Sequence, residues 1–333
     1  MIASYRPASI EHSNQITTTH RPVIRTAPRP DCLLCGTPGR PLHQGLTDRV
    51  FGVPGDWHLA QCADVHCGLI WLDPLPLEAD IGAAYRDYYT HGPAGRRGFA
   101  ATLLNGLLGL TRAQRRVNDF YLADTTSGRL LEIGFGAGHR MARMAALGWT
   151  VMGQEVDPVA LDHARQKGFD VRLGPLPGLK LDAGHYDAIV GSHVIEHLHD
   201  PVGILRECKR LLREDGRVIM ITPNTASYGH REFRQHWIGL DPPRHIHLFN
   251  PVTMARLARL AGFTRFDITT TPAHASTFVR TSINLSTSAV GDVLTHTSRV
   301  VQLRVAARVI AARARFLWDR ECGEELVLQA WCH

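Results

Sequence analysis

Short apolar runs alternate with amphipathic stretches from residue 128 to the end of the chain, a pattern typical of strands separated by helices. The stretches 158–168, 201–216 and 251–263 open with proline and close at or near glycine, as helices do. Strand–helix alternation of this kind predicts a parallel sheet. The predicted strands are 129–133, 150–156, 170–174, 186–192, 217–223, 266–271 and 324–331.

The sequence divides into four parts. Residues 1–30 are polar and aperiodic, which predicts a flexible arm. Residues 31–90 hold four cysteines among many glycines and prolines, which indicates a small module, and residues 91–127 predict a helical linker. Residues 128–333 form the α/β domain, with a helical insertion at 275–320 before the last strand.

Two closely spaced cysteine pairs indicate a metal site in the module. Cys32 and Cys35 form a C-x2-C knuckle, and Cys62 and Cys67 form a C-x4-C knuckle. Two such pairs suit a tetrahedral zinc ion. Because the second knuckle is two residues longer than a C-x2-C, His66 competes with Cys62 as the fourth ligand. Four protein ligands leave no open coordination position, so the zinc is expected to be structural.

A glycine-rich turn, "LLEIGFGAG", follows the first predicted strand of the α/β domain. Glycine suits a tight turn that a ligand approaches closely. Glu155 ends the next strand, where an acid can accept both hydroxyls of a ribose. The third glycine comes one residue too early for a dinucleotide-binding turn, and the preceding Glu132 would repel a pyrophosphate. The pattern therefore favours a nucleoside without phosphates, such as S-adenosylmethionine. The three glycines are Gly134, Gly136 and Gly138.

Five segments in this order resemble the class I S-adenosylmethionine-dependent methyltransferases, in particular a bacterial branch with an N-terminal zinc ribbon. They are "LEIGFGAG", "GQEVDP", "YDAIVGSHVIEHLHDP", "GRVIMITPN" and "PPRHIHLF". The resemblance implies an α/β fold with a Rossmann-like seven-stranded sheet, helices on both faces, and a small N-terminal zinc-ribbon module.

The resemblance also implies roles for individual residues around the methyl donor. Glu132 and the three glycines would surround the methionine moiety, and Glu155 would hold the ribose. Leu176, after the third strand, would lie near the adenine. Ser192 and His193, at the end of the fourth strand, would border the sulfonium. Three tyrosines at the end of the zinc module are candidates for ligand contact, namely Tyr85, Tyr88 and Tyr89.

The segment "SHVIEHLHDP" raises the question of a second metal. A helix that begins near Val194 would place His193, Glu196 and His197 on one face. With His247, or with His245 in its place, they would form a nitrogen and oxygen site that resembles the metal sites of small-RNA 3′-end methyltransferases. A divalent metal there would bind an acceptor hydroxyl and lower its pKa.

Two other interpretations of these histidines stay open. His245 could act as a general base, as the resemblance to zinc-ribbon sugar C-methyltransferases implies, because a neutral imidazole suits that task at cellular pH. Alternatively, Glu196 and His197 are a hydrogen-bonded pair that closes a helix N-terminus. His193, His197 and His245 are the candidate catalytic residues in this scheme.

The charge and the apolar runs of the chain bear on which partners it can bind and on the cellular compartment in which it works. The 333 residues carry a net charge of +6, and the basic residues are almost all arginines that are scattered along the chain. A nucleic-acid partner is therefore disfavoured. The chain lacks a continuous apolar N-terminal run and a stretch of roughly 18 apolar residues, so a cytoplasmic, reducing setting is expected.

The insertion contains a basic amphipathic segment at 298–320. Four of its arginines are predicted to share one flank: Arg299, Arg304, Arg308 and Arg315. Such a helix can lie on an anionic membrane or bind an acidic partner. We favour the interpretation that it covers the active site or forms a homodimer contact, with its arginines extending into water.

These features together predict an enzyme that transfers the methyl group of S-adenosylmethionine to a small-molecule acceptor. O-methylation of a hydroxyl is the first interpretation, and C-methylation of a nucleotide-linked keto sugar with a histidine base is the second. Metal-assisted RNA methylation and a binding scaffold without catalysis are the further alternatives.

Overall fold

The computed structural model describes residues 23–85, 110–123, 125–288, 293–294 and 298–333. Most of the predicted arm and of the helical linker lies outside these residues, as do Tyr88 and Tyr89. Among the described residues, no helix is both long and apolar enough to cross a membrane.

Thirteen strands occur in the described residues. In chain order they are β1 Thr26–Ala27, β2 Gly39–Leu46, β3 Trp57–Cys62, β4 Ile70–Leu72, β5 Leu75–Pro76, β6 Arg129–Ile133, β7 Thr150–Glu155, β8 Asp170–Leu173, β9 Tyr186–Ser192, β10 Leu212–Pro223, β11 His247–Leu248, β12 Arg265–Thr271 and β13 Glu325–Trp331.

Eight α-helices occur in the same part of the chain. They are α1 Leu110–Asn118, α2 His139–Ala146, α3 Pro158–Gln166, α4 Pro201–Leu211, α5 Tyr228–Phe233, α6 Pro251–Leu260, α7 Ala275–Thr287 and α8 Arg299–Trp318. The last two helices form the predicted helical insertion.

Seven strands form one central sheet in the order β12-β13-β10-β9-β6-β7-β8. The five strands from β10 to β8 are parallel, and β13 runs antiparallel between β10 and β12. The strand order reverses between β6 and β9, and open α/β sheets bind ligands at the carboxyl ends of strands at such a point. The predicted Rossmann-like, seven-stranded sheet is confirmed.

The central strands alternate their side chains between two apolar cores, because successive residues of a strand point to opposite faces. Leu130 of β6 packs in the core that contains Met144 of α2. Leu131 packs in the other core, with Leu205 of α4 and Leu257 of α6. Both faces of the sheet are therefore covered by helices, which explains why its strands read as nearly continuous apolar runs.

The cysteine module is joined to the α/β domain through a second, antiparallel sheet. Its order is β11-β4-β3-β2, and β11 comes from the α/β domain. Trp71 of β4, which is buried, packs in the same core as Phe249. The module and the domain therefore share a sheet and a core.

Two predicted boundaries need correction. The predicted arm extends to residue 30, but β1 pairs with β5, and Arg25 donates hydrogen bonds to Asp80 from its backbone and its guanidinium. The helix predicted over 201–216 ends at Leu211. Leu212 instead enters the central sheet opposite Tyr186 and is buried there, so burial overrides the helical preference of the charged residues that follow.

A fully buried arginine connects the module to the loop that precedes β11. Arg244 donates from Nη1 to Asp48 at 2.8 Å, and from Nε and Nη2 to Asp241 at 2.9 and 2.5 Å. Asp48 also accepts hydrogen bonds from three backbone amides of its own loop. The guanidinium lies 4.6 Å from the ring centroid of Phe51. A buried charge with this many partners fixes the relative position of both segments.

We expect Arg244→Met to lower the free energy of unfolding by about 3–5 kcal/mol, because it leaves two buried carboxylates without their counter-charge. Urea unfolding followed by circular dichroism measures this loss. Arg213→Met is the matched control, because Arg213 pairs with Asp187 at 2.8 Å on the surface and should cost less than about 1 kcal/mol. Equal losses in the two variants would contradict the proposed importance of the buried pair.

Candidate functional site

The glycine turn lies between β6 and α2 in a conformation that requires glycine. Gly134, Gly136 and Gly138 have φ of 62°, 53° and 72°, all in the left-handed region. A Cβ on Gly134 would lie 2.6 Å from Cγ2 of Val194, so the turn packs directly against the segment after β9. The donor-binding turn predicted from the sequence and the histidine segment are therefore neighbours.

Glu155 organises this turn from the end of β7. Its Oε2 accepts a hydrogen bond from the amide of Gly136 at 2.9 Å, and its Oε1 accepts one from the amide of Val156 at 2.8 Å. Its Oε1 also accepts a longer bond from the amide of Asp157 at 3.3 Å, and a carboxylate has about four acceptor positions, so about one position is left for a hydroxyl donor. The structure thus places Glu155 beside the glycine turn, and its ribose role stays a prediction.

Glu132 is buried in β6, and its Oε2 has no hydrogen-bond partner among the described residues. Burial raises its pKa to about 8, while Arg140 acts in the opposite direction. A buried acid without a partner is costly, so this position favours a ligand that brings a donor or a positive charge. Ser192 Oγ, at the end of β9, is likewise buried and without a partner in the described structure.

Leu176, the predicted adenine neighbour, begins a 3₁₀ turn after β8 and is buried. The main chain before it is fixed by the side-chain amide of Gln154, which donates to the carbonyl of Gly174 at 2.6 Å. The predicted donor-side residues therefore follow the ends of β6, β7, β8 and β9, at the carboxyl edge of the parallel strands.

The segment after β9 is not the helix that the sequence suggested. It forms a single 3₁₀ turn, Ile195–His197, and His193 adopts a left-handed conformation with φ of 56°. Pro201 opens α4 four residues later with Asp200 as its N-cap, and Leu198 between the two elements is extended, with ψ of 134°. His193 and His197 point to different partners and do not share a helix face.

His193 lies between two buried carboxylates. Its Nε2 is 3.0 Å from Glu325 Oε1, and its Nδ1 is 3.3 Å from Glu196 Oε1. Glu325 also accepts a hydrogen bond from His274 Nδ1 at 2.8 Å. Burial lowers the pKa of His193, but the carboxylates of Glu196 and Glu325 outweigh it and raise the pKa to about 9. Both ring nitrogens of His193 therefore face acceptors.

Glu196, His197 and His245 form a compact group whose potential ligand atoms all lie within 4.8 Å of one another. His197 Nδ1 donates to the carbonyl of Arg244 at 2.9 Å, and His245 Nδ1 donates to the carbonyl of Gly239 at 2.7 Å. Because Nδ1 carries the proton in each ring, Nε2 is left as an acceptor. The group therefore presents two imidazole nitrogens and a carboxylate oxygen.

The other oxygen of Glu196 is also fixed. Glu196 is fully buried, and its Oε2 accepts a hydrogen bond from Thr222 Oγ1 at 2.9 Å. Its Oε1 lies 3.9 Å from His245 Nε2. Burial raises the pKa of Glu196, but the surrounding histidines outweigh it and lower the pKa to about 2. The carboxylate is thus ionised and oriented toward the two imidazoles.

His247 does not join this group. Its Nδ1 donates to the carbonyl of Leu198 at 3.0 Å, and its backbone belongs to β11. His245 lies before β11, in a turn where its amide donates to the carbonyl of Asp241 at 3.1 Å, so the two-residue period of a strand does not place the two rings on one face. Of the two candidates in "RHIHLF", the structure brings His245 to Glu196 and His197.

The sequence interpretation missed several residues that complete the site. Glu325 begins β13, which is antiparallel to β10, so its first residues lie at the edge where the parallel strands end. That topology, together with two acids at the start of an apolar strand, is the signal that could have identified it. Tyr85, one of the three candidate tyrosines, has its hydroxyl 2.9 Å from His197 Nδ1. Arg244 and His274 had no comparable local signal.

The four cysteines of the module come together as predicted. Their sulfur atoms lie within 4.8 Å of one another, with Cys32 and Cys67 at 3.7 Å and Cys35 and Cys62 at 3.4 Å. Four thiolates at about 2.3 Å from one zinc ion would be about 3.8 Å apart, so the spacing fits that ion. His66 is exposed and outside the group, which favours Cys62 as the fourth ligand.

Comparison with known proteins agrees with this geometry. Residues 109–266 match the family model described as a methyltransferase domain. A protein of Mycolicibacterium smegmatis named "Probable S-adenosylmethionine-dependent methyltransferase" is 32% identical over 148 residues, which is 43% of this chain and 54% of that protein. A ubiquinone biosynthesis O-methyltransferase of Cereibacter sphaeroides is 31% identical over 151 residues, which is 42% of this chain and 61% of that protein.

The match therefore covers about half the length of these curated relatives. Among solved structures, an S-adenosylmethionine-dependent methyltransferase from Archaeoglobus fulgidus aligns with a TM-score of 0.44 and 18% identity. The alignment covers 70% of this chain and 100% of that protein.

The raised pKa of Glu132 predicts how the stability of the ligand-free protein depends on pH. Its pKa rises from 4.5 to about 8 on folding, so the unfolded chain loses this proton at a lower pH than the folded chain. Folding should therefore become less favourable as pH rises from about 4.5 to about 8. Glu132→Gln should remove this loss, which is on the order of 5 kcal/mol because one pKa unit is about 1.4 kcal/mol.

Urea unfolding across this pH range measures the effect. The stability of Glu132→Gln relative to the unmodified protein should increase with pH and level off above about pH 8. Glu214→Gln, at an exposed glutamate in β10, is the control and should follow the unmodified protein at every pH. A constant difference between Glu132→Gln and the unmodified protein would show that Glu132 titrates normally.

Proposed function

We propose that this chain, whose residues 109–266 are a class I S-adenosylmethionine-dependent methyltransferase domain, transfers the donor's methyl group to a hydroxyl of a small molecule. The observation that supports this proposal best is the position of the Glu196, His197 and His245 group beside the glycine turn. Val194 packs on Gly134, so the two halves of the site meet at one edge of the sheet.

The donor side fits S-adenosylmethionine by its polar groups. Glu132 Oε2 and Ser192 Oγ are buried without partners in the described residues, and both can interact with the amino acid part of the donor. Glu155 would accept a hydrogen bond from the ribose hydroxyls, and the 3₁₀ turn that begins at the buried Leu176 would lie near the adenine. When the donor is bound, it supplies an activated methyl group, so the protein contributes mainly orientation.

The acceptor side fits a divalent metal. Glu196, His197 and His245 would hold it, and a bound divalent ion would lower the pKa of an acceptor hydroxyl and orient it toward the methyl group. The carbonyls of Arg244 and Gly239 accept a hydrogen bond from Nδ1 of each imidazole, as groups behind metal-bound histidines commonly do. The curated relatives named as ubiquinone O-methyltransferases support oxygen as the methylated atom.

His193 has a positioning role in this proposal. Because its two nitrogens face Glu325 and Glu196, it would hold Oε1 of Glu196, the oxygen that also lies nearest His245. This role replaces its predicted one as a metal ligand or base. Its left-handed backbone is the kind of local strain that functional sites retain.

A second candidate function uses the same atoms without a second metal. His245 is held in the tautomer that leaves Nε2 as an acceptor, with carboxylate oxygens of Glu196 and Asp241 at 3.9 Å. A neutral histidine in this state can remove a proton from a carbon acid, which would serve C-methylation of a keto sugar.

The cysteine group is proposed to hold a structural zinc ion. All four positions would be filled by thiolates, so the ion would fix the knuckles that precede β2 and β4 and would take no part in methyl transfer. Because β4 pairs with β11, this zinc ion would support the loop that carries His245.

For the donor, we expect Glu155→Gln to weaken the binding of S-adenosylhomocysteine about 10- to 100-fold, because a charged acceptor of hydroxyl hydrogen bonds is lost. Isothermal titration calorimetry measures this change. Asp162→Asn on α3, whose side chain is 68% exposed, is the control and should bind normally. Unchanged affinity in Glu155→Gln would refute the ribose assignment.

For the metals, we expect two ions per chain by elemental analysis, one in each group. His245→Gln should lose one ion and keep the other, while the binding of S-adenosylhomocysteine is unchanged. Cys32→Ser should lose the other ion. With hydroxylated small molecules as acceptors, His245→Gln should lower S-adenosylhomocysteine production at least about 100-fold.

His247→Gln is the matched control, because His247 also donates Nδ1 to a backbone carbonyl but lies outside the group. It should retain both ions. If His247→Gln loses the second ion and His245→Gln keeps it, the assignment of ligands is wrong. Full activity in chelator with only the cysteine-bound ion retained, together with inactivity of His245→Gln, would favour the general-base alternative.

A further inference from the structure

The helix α8 is apolar on two opposite sides. Its inner side buries Val301, Val305 and Val309 against Val279 and Ile283 of α7. An apolar stripe at this spacing is expected for a helix that packs on one neighbour. The outer side requires a separate explanation, because it is apolar as well.

Five large apolar side chains of α8 are exposed to a degree that is unusual for one helix. The exposed fractions are 58% for Val300, 72% for Leu303, 65% for Ile310, 66% for Leu317 and 89% for Trp318. Helical spacing places most of them in one stripe, with two alanines in the same row. The stripe consists of Val300, Leu303, Ala307, Ile310, Ala314 and Leu317.

Arginines border this outer stripe on both sides. By helical spacing, Arg304, Arg308 and Arg315 lie along one border, and Arg299 and Arg313 lie along the other. This corrects the prediction that Arg299 shares the flank of the first three. The helix contains no acidic residue between its first and last positions. Arg308 pairs with Glu232 at 3.0 Å on the neighbouring surface, so part of this charge is balanced locally.

We propose that the outer face of α8 docks on the surface of an anionic lipid bilayer. The apolar stripe would enter the boundary between headgroups and acyl chains, and the arginines on both borders would extend to the phosphates. Trp318, at the end of the stripe, is the type of residue that favours this boundary. The proposal does not depend on the methyl acceptor.

Charge decides between a bilayer and a second copy of the chain. If two α8 helices packed through this stripe, arginine borders would meet arginine borders, and like charges across an interface are unfavourable. Anionic headgroups instead neutralise both borders at once. The net charge of +6 acts in the same direction.

The test is co-sedimentation of the full chain with vesicles of phosphatidylcholine, with and without phosphatidylglycerol. We expect binding to the anionic vesicles that weakens as salt is raised, and little binding to the neutral ones. Arg304→Gln should weaken binding about fivefold. The double variant Leu303→Gln and Ile310→Gln should weaken it more than about tenfold, because two buried apolar side chains are lost.

The matched controls lie on α3, on another part of the surface. Val159→Gln replaces a side chain that is 43% exposed, and Arg165→Gln removes an arginine that is 57% exposed. Both should bind vesicles like the unmodified protein. Trp318→Phe should remove most of the blue shift in tryptophan emission that binding produces.

Failure to bind anionic vesicles, or equal binding to both kinds of vesicle, would overturn the proposal. A dimer in sedimentation velocity that the double variant dissociates, without vesicle binding, would assign the face to a second copy and would also overturn it. Circular dichroism of each variant checks that it is folded.

Discussion

The buried guanidinium of Arg244 is the contact on which the acceptor side depends. It joins Asp48 of the cysteine module to Asp241 of the loop before β11. The carbonyl of the same residue accepts the hydrogen bond that fixes the tautomer of His197, and the next residue is His245. The Arg244 side chain therefore holds in place the main chain that positions His197 and His245, two of the three groups that converge on the acceptor side. Its burial explains why this geometry can persist without a covalent link.

The two halves of the site are built on different principles. On the donor side, the backbone carries the geometry, because left-handed glycines and the amides that bind Glu155 shape the turn. On the acceptor side, side chains carry the geometry, and each is oriented by a second group: a carbonyl for His197 and His245, and Thr222 for Glu196. A carbonyl that fixes a neutral imidazole suits both metal binding and proton removal, which is why the two candidate functions share one set of atoms.

The parts of the structure that could be predicted were those that short, contiguous sequence patterns determine. Short apolar runs between helical patterns identified all seven strands of the central sheet, and the spacing of the cysteines identified their group. The conformation of His193 was not predictable in this way, because its ring is held between Glu196 and Glu325, the second of which lies 132 positions away. Glu325 reaches the site only because the last strand is antiparallel, and Arg244 matters because of a partner 196 positions away. Long-range contacts of this kind leave no periodic signal.

The helical insertion links the surface of the protein to the acceptor side. On one side α7 packs against α8 through Val279 and Ile283. Phe278, also on α7, faces His193, with 6.4 Å between the two ring centroids. The ring centroid of Phe278 lies 6.1 Å from that of Trp237. The single helix α7 therefore connects the packing of α8 with the aromatic residues beside His193.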